Sequence, residues 1–182
     1  MIRPVPLADD LVLRLLHAGD APALTAAYVR NRAHLAQWEP LRDDSFFTEE
    51  GQAGELDAQL ANAVAGASVP LVVEESSTGR IVGRFTLSAI IRGPFQSANL
   101  GYWVDGARNG RGLATSAVRE LLRMSRDELG LHRVQAATLP HNAASQRVLE
   151  RNGFERIGFA PRYLQIAGRW QDHDLFQAIL HD

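Results

Sequence analysis

The sequence predicts an α+β domain built around a mixed, mainly antiparallel sheet. Three features lead to that class. Up to residue 104 the chain reads as one strand, two helices and then three β-rich runs joined by short turns, the pattern of antiparallel neighbours. From residue 113 onward helix and strand alternate, which makes the sheet mixed. Glycines at 66, 79, 93, 130, 153 and 168 punctuate the junctions. At 182 residues, 46% of them hydrophobic, the chain is long enough for one domain with a full core. Residues 1–10 are expected to form an N-terminal extension and residues 11–182 the domain.

The elements follow in order. Leu11, Leu13 and Leu15 alternate with Val12, Arg14 and Leu16 as a first strand. Asp20 is placed to cap a helix with Pro22 in its first turn, running to Leu35 and broken by Trp38-Glu39-Pro40. Thr48 opens a second helix, which sets Leu56, Leu60 and Val64 on one face and stops at Gly66. Val69 to Glu75 and Arg80 to Ile91 are strands around the hairpin turn Ser76 to Gly79, and Ala98 to Val104 is the next. A helix from Leu113 to Leu129 ends at Gly130. His132 to Leu139 is a strand, and Ala143 to Arg151 a helix closed by Asn152-Gly153. Phe154 to Ile166 is extended with breaks near Gly158 and Pro161. Ala167 to Trp170 turns the chain, and Asp174 to Leu180 is the last strand.

Composition excludes several functions. With no cysteine there is no disulfide, thiolate metal site or cysteine nucleophile. A net charge of −2 argues against a nucleic-acid-binding surface. No apolar run is long enough to span a bilayer, and Met1 to Asp10 lacks the order of a signal peptide, so a cytoplasmic protein without a membrane partner is expected. His173 and Asp174 lack a third ligand at metal-binding spacing, and no metal is expected.

The most informative segment is Arg108-Asn109-Gly110-Arg111-Gly112-Leu113-Ala114-Thr115. It follows a strand and opens a helix. Gly110 and Gly112 permit positive φ and close approach to a ligand. The first helical amides have no intrahelical partner, and the helix dipole adds to them, so the turn suits a diphosphate. It lacks the Gly-Lys-Ser/Thr ending of a P-loop and the spacing of the dinucleotide fingerprint. A tight turn with solvated arginines describes the same residues.

Four segments carry a resemblance. Gly101-Tyr102-Trp103-Val104, Asn109 to Thr115, Pro140-His141-Asn142-Ala143-Ala144-Ser145 and Arg151-Asn152-Gly153-Phe154 occur in this order, followed by Gly168-Arg169-Trp170-Gln171-Asp172-His173. Together they resemble the GNAT superfamily of N-acetyltransferases, and within it the RimJ/RimL-type branch. The resemblance implies a three-layer αβα fold with helices on both faces of the sheet and one splayed strand. It implies acetyl-CoA, or another acyl-CoA, as co-substrate. The implied acceptor is an amine, on a peptide N-terminus or a small molecule, and a homodimer is expected. By the same likeness Tyr102, Trp103 and Val104 lie along the pantetheine arm. Asn109, Gly110, Arg111, Gly112, Leu113, Ala114 and Thr115 hold the pyrophosphate. Asn142 contacts the arm, and Ser145 stands near the sulfur. Two departures are visible: Asn109 replaces the usual Arg or Gln, while Asn99 and Leu164 occupy positions where relatives carry a Glu.

Acyl transfer to an amine requires a base, a donor to the developing oxyanion and an acid for the thiolate. Ser145 is the candidate acid. Asn142 and Ser145 also fit an ordinary capped helix start. The base is open: Glu39 and His141 are candidates, Tyr163 could donate to the thiolate or relay through water, and a base acting through water also fits. A solvated carboxylate, an exposed turn histidine and a strand aromatic are the commoner states of these residues. Trp38, Phe46, Phe47 and Phe85 are candidate walls of the acceptor pocket, with Asn99 beside it. A non-catalytic acyl-CoA sensor and a nucleotide-binding protein are the competing readings.

Overall fold

The computed structural model describes residues 2–8 and 10–182; Met1 and Asp9, both within the expected N-terminal extension, lie outside the described residues. The strands are β1 (Val5–Ala8), β2 (Leu11–Leu15), β3 (Val69–Glu75), β4 (Arg80–Ile91), β5 (Ser97–Val104), β6 (Arg133–Thr138), β7 (Glu155–Ile166) and β8 (Arg169–Ile179). The helices are α1 (Ala21–Leu35), α2 (Glu49–Val64), α3 (Leu113–Asp127) and α4 (Ala143–Arg151). All eight strands form one sheet in the order β1-β2-β3-β4-β5-β6-β8-β7. Every neighbouring pair is antiparallel except β5 and β6. The extended start of the chain pairs along β2 and supplies the edge strand β1.

Alternation along the strands divides the core between the two faces. Leu71, Val73 and Phe85 pack with Leu113, Leu121 and Leu149 on the α3–α4 face. Val72, Ile81 and Trp103 pack with Leu24, Tyr28 and Leu56 on the α1–α2 face. At about 25 cal/mol per Å² of apolar surface these two layers supply most of the driving force for folding. Asp20 does not cap α1: its carboxylate accepts from the His17 amide at 2.9 Å and from Arg14 at 2.7 and 2.9 Å. Thr48 does cap α2, its hydroxyl accepting from the Gly51 amide at 3.1 Å.

The last hairpin is tighter than the sequence suggested. Ala167 and Gly168 have φ of 49° and 77°, the two-residue turn whose twist matches a hairpin, so β8 begins at Arg169. In β7 the expected breaks are register shifts, between Arg156 and Gly158 and between Ala160 and Leu164. At the second, Arg162 takes φ 49° and its amide donates to Asp172 Oδ1 at 2.9 Å.

The feature that positions the site is a split in the sheet. β5 pairs with β6 only where Ser97, Ala98 and Asn99 meet Arg133, Val134 and Gln135. Beyond Asn99, β5 stays with β4, and β6 stays with β8 as far as Thr138. The two halves part, and a wedge opens between Leu100–Val104 and Ala136–Thr138.

Candidate active site

Two cavities enter this wedge from opposite sides. The first, of about 380 Å³, is walled by the turn before α3, the end of β5 and α4. Gly110 and Gly112 have φ of 74° and 79°, and Gly112 precedes α3 without a side-chain cap. Ser116 is the first helical residue to bond back, to the Gly112 carbonyl at 3.0 Å. Among the described residues, no protein group accepts from the amides of Gly110 through Thr115. Several unpaired N–H groups at a helix N-terminus form an anion site. Arg147 and Arg151, one turn apart on α4, line the same cavity and add positive charge. Arg108 also lines it and is ion-paired to Glu75. The Asn109 amide group lies 3.3 Å from His34 Nε2.

The second cavity, of about 360 Å³, lies on the α1–α2 face. Arg84, Thr86 and Ser88 of β4, Glu55 and Gln59 of α2, Tyr28 of α1 and His173 of β8 line it, together with Glu39 and Arg42. The Glu39 backbone is fixed twice: its amide donates to the Leu35 carbonyl at 3.1 Å, and its carbonyl accepts from Ala167 in the last hairpin turn at 2.9 Å. Burial pushes the Glu39 carboxyl above the ordinary carboxylate range, while the Arg42 and Arg84 guanidinium groups pull it back.

Trp38, Glu39, Tyr102, Trp103, Asn142 and Ser145 line both cavities and mark where they join. Ser145 Oγ is 2.8 Å from Tyr102 Oη. The Ser145 amide donates to Asn142 Oδ1 at 3.1 Å, so Asn142 caps α4 and fixes the residue that carries the hydroxyl. Burial pushes the Tyr102 phenol up to about 12, against the hydrogen bond with Ser145, and it is neutral at physiological pH. The Asp105 amide donates to Val82 on β4 at 2.9 Å. By strand alternation the amides of Leu100, Tyr102 and Val104 therefore point away from β4, and beyond the last β5–β6 pair those of Tyr102 and Val104 open into the wedge.

Several residues expected at the site fall elsewhere, Phe46 and Phe47 among them, which line neither cavity. Phe85 is fully buried on the α3–α4 face, stacked on Tyr102 at 5.4 Å, because the register of β4 turns its neighbours Arg84 and Thr86 toward the second cavity. Asn99 pairs with Ser88 and Gln135 at the closed end of the wedge and lines neither cavity. Tyr163 sits in the β7 irregularity, 44% exposed, against His173 and outside both cavities. The Arg111 side chain lines a separate hollow with Leu7 and Leu11. His141 lies beside the Trp38 ring at 5.5 Å, also outside both cavities. Sequence reasoning missed Arg84, Thr86, His173, Arg147 and Arg151. The i,i+4 spacing of the last two on one helix face was the available signal.

Among the described residues no cluster of His, Asp and Glu is arranged to hold a metal. None of their helices is long and apolar enough to cross a membrane.

Comparison with known proteins agrees with this geometry. The family model described as an acetyltransferase (GNAT) domain matches residues 10–155. The chain is 35% identical over 167 residues to the [ribosomal protein uS5]-alanine N-acetyltransferase of Escherichia coli (strain K12), covering 92% of this chain and 86% of that protein. The crystal structure of a ribosomal-protein-S5-alanine acetyltransferase from Vibrio fischeri superposes with a TM-score of 0.94 at 33% identity, over 100% of this chain and 98% of the other. Mycobacterium smegmatis RimJ in complex with CoA-disulfide gives 0.88 at 32% identity, over 93% and 81%. With a split mixed sheet, a glycine turn of free amides and matches that span nearly its whole length, the chain belongs to the GNAT acetyltransferase family.

Proposed function

We propose that this protein transfers an acetyl group from acetyl-CoA to a primary amine, with the α-amine of a protein N-terminus as acceptor. The observation that carries this reading is the meeting of the two cavities at Ser145 and Tyr102. One approach presents free amides and arginines to a diphosphate, and the other presents a half-buried carboxylate to an amine. The relatives named as ribosomal-protein-alanine acetyltransferases, and the one bound to a CoA disulfide, support both ends.

Acetyl-CoA supplies an activated acyl carbon and a thiolate leaving group. The turn Asn109–Thr115 holds its diphosphate, and the wedge-facing edge of β5 takes its arm as an added strand. Glu39 removes a proton from the ammonium form of the acceptor, directly or through one water, and frees the lone pair that attacks the carbonyl. The new C–N bond forms as the C–S bond breaks. The Val104 amide, aimed into the wedge, donates to the developing oxyanion. The nitrogen sheds its second proton as the amide forms; that proton passes through water to the Ser145–Tyr102 hydroxyl pair as the pair hands its own to the sulfur, and Glu39 returns the first proton to solvent.

The test is release of the free thiol of coenzyme A in the presence of alanine-terminated peptides. Turnover with N-acetylated product supports the reading; tight acetyl-CoA binding without turnover on any amine defeats it. Ser145→Ala is expected to lower kcat by about 100-fold, the lower range for a lost general acid. Its acetyl-CoA affinity, measured by calorimetry, should change far less. An unchanged kcat would leave Ser145 with a purely structural place at the start of α4.

A further inference from the structure

We propose that Arg84 selects acceptors carrying a carboxylate near the amine that becomes acetylated. This rests on the acetyl-transfer reading above and specifies its substrate. Arg84 lies on β4 with its side chain toward α1 and α2, half-buried in the wall of the acceptor cavity. Its guanidinium donates to two groups, Tyr28 Oη at 2.8 Å and Gln59 Oε1. Both partners are neutral. Tyr28 is itself held in place by Trp103 Nε1 at 3.1 Å.

Arg133 is likewise partly buried without an ion pair and lies over the Phe95 ring, whereas other arginines that pack onto the fold have carboxylate partners. Arg14 is ion-paired to Asp20 and Glu74, Arg30 to Asp105 and Arg108 to Glu75. Among the described residues no carboxylate lies within 4.0 Å of Arg84. A guanidinium drawn out of water without a counter-ion is costly unless a ligand completes it. Two neutral acceptors use part of its five-donor fork, and the rest matches a carboxylate bidentately.

The remaining charges around the cavity leave Arg84 unmatched once an acceptor binds. Glu39 is committed to the incoming ammonium. The Arg42 guanidinium lies over the Phe46 ring, 4.4 Å from its centroid. Glu55 is exposed, one helical turn before Gln59. The cavity thus has a carboxylate pole and a guanidinium pole, and a ligand with an amine and a carboxylate satisfies both. That carboxylate comes either from a free amino acid or from an acidic side chain near a peptide N-terminus.

Matched acceptors separate these sources. Alanine is compared with alaninamide, and an Ala-Asp peptide with its Ala-Asn counterpart, in wild type, Arg84→Gln and Arg84→Lys. The measurements are kcat/KM and, independently of turnover, the dissociation constants of the N-acetylated products from the CoA-bound protein. Wild type is expected to favour the carboxylate member of at least one pair by about 10- to 100-fold, the range of a charged hydrogen bond. The pair that discriminates names the source. Arg84→Gln should bring the ratio to near one, with partial recovery in Arg84→Lys. Equal treatment of both pairs by wild type, or a ratio that survives Arg84→Gln while every acceptor is weakened alike, overturns the proposal. Absence of turnover with all acceptors would instead defeat the acetyl-transfer reading, and the product-binding ratio would still decide the role of Arg84.

Discussion

Glu39→Gln is expected to lower kcat by about 100- to 1,000-fold, within the range set by removal of a general base. The substitution keeps the size and hydrogen-bonding shape of the side chain and removes only its capacity to take a proton. The α1 end and the last hairpin hold the Glu39 backbone from both sides, so the side-chain position should survive. The pH profile gives a second readout. A base works in its ionised form, so wild-type kcat should fall on acidification, with a midpoint above the ordinary carboxylate range because burial raises this carboxyl. In Glu39→Gln that acid limb should disappear. A limb that persists at higher pH belongs to the acceptor amine, whose own pKa is about 8. Stability separates catalysis from folding. A carboxyl whose pKa is raised on folding contributes stability below its unfolded pKa and loses it as pH rises through the folded value. Removing it relieves the neutral-pH cost, and the variant should melt no lower than wild type at neutral pH. A variant that keeps the wild-type rate would show that the proton leaves by another route, with His173 on the cavity wall the next candidate.

The contrast between Glu39 and the coenzyme turn shows what the sequence could and could not convey. Gly110 and Gly112 betray their positive φ locally, because the demand of a strand-to-helix turn is met within a few residues. The anion site was therefore legible without knowledge of the rest of the fold. For Glu39 the sequence showed only a carboxylate after a helix end. Its burial depends on the last hairpin, which reaches it from the far end of the chain through the Ala167 amide. On β4, alternation says that Arg84 and Phe85 face opposite ways, but the register across β3 and β5 decides which one lines the second cavity. The aromatic ring of Phe85 suggests a pocket wall, yet Arg84 faces the cavity. Tyr163 fails for a related reason: the irregularity before Leu164 resets alternation in β7. Tyr102 and Ser145 meet only because β5 leaves β6, an event that neither residue's neighbours encode.

Ala114→Trp is expected to raise the dissociation constant for acetyl-CoA by more than about 100-fold. In the proposed complex main-chain amides make most of the diphosphate contact, which no side-chain deletion removes, so the site has to be blocked sterically. Asn109→Ala should accordingly be mild, since that side chain meets His34 and contributes no donor to the run of free amides. Ala114 lies in the first turn of α3, is half-buried and lines the coenzyme cavity alone. It has ordinary helical geometry, unlike Gly112, where φ of 79° would add backbone strain to any substitution and blur the result. An indole at Ala114 competes with the diphosphate for the space in front of the amides. Losing two charge-assisted hydrogen bonds at about 1.5 kcal/mol each already exceeds 100-fold in affinity. The unliganded variant should melt close to wild type, because the bulk enters an open cavity. A dissociation constant within about tenfold of wild type, in a variant that folds, would mean that the phosphates do not sit at the start of α3.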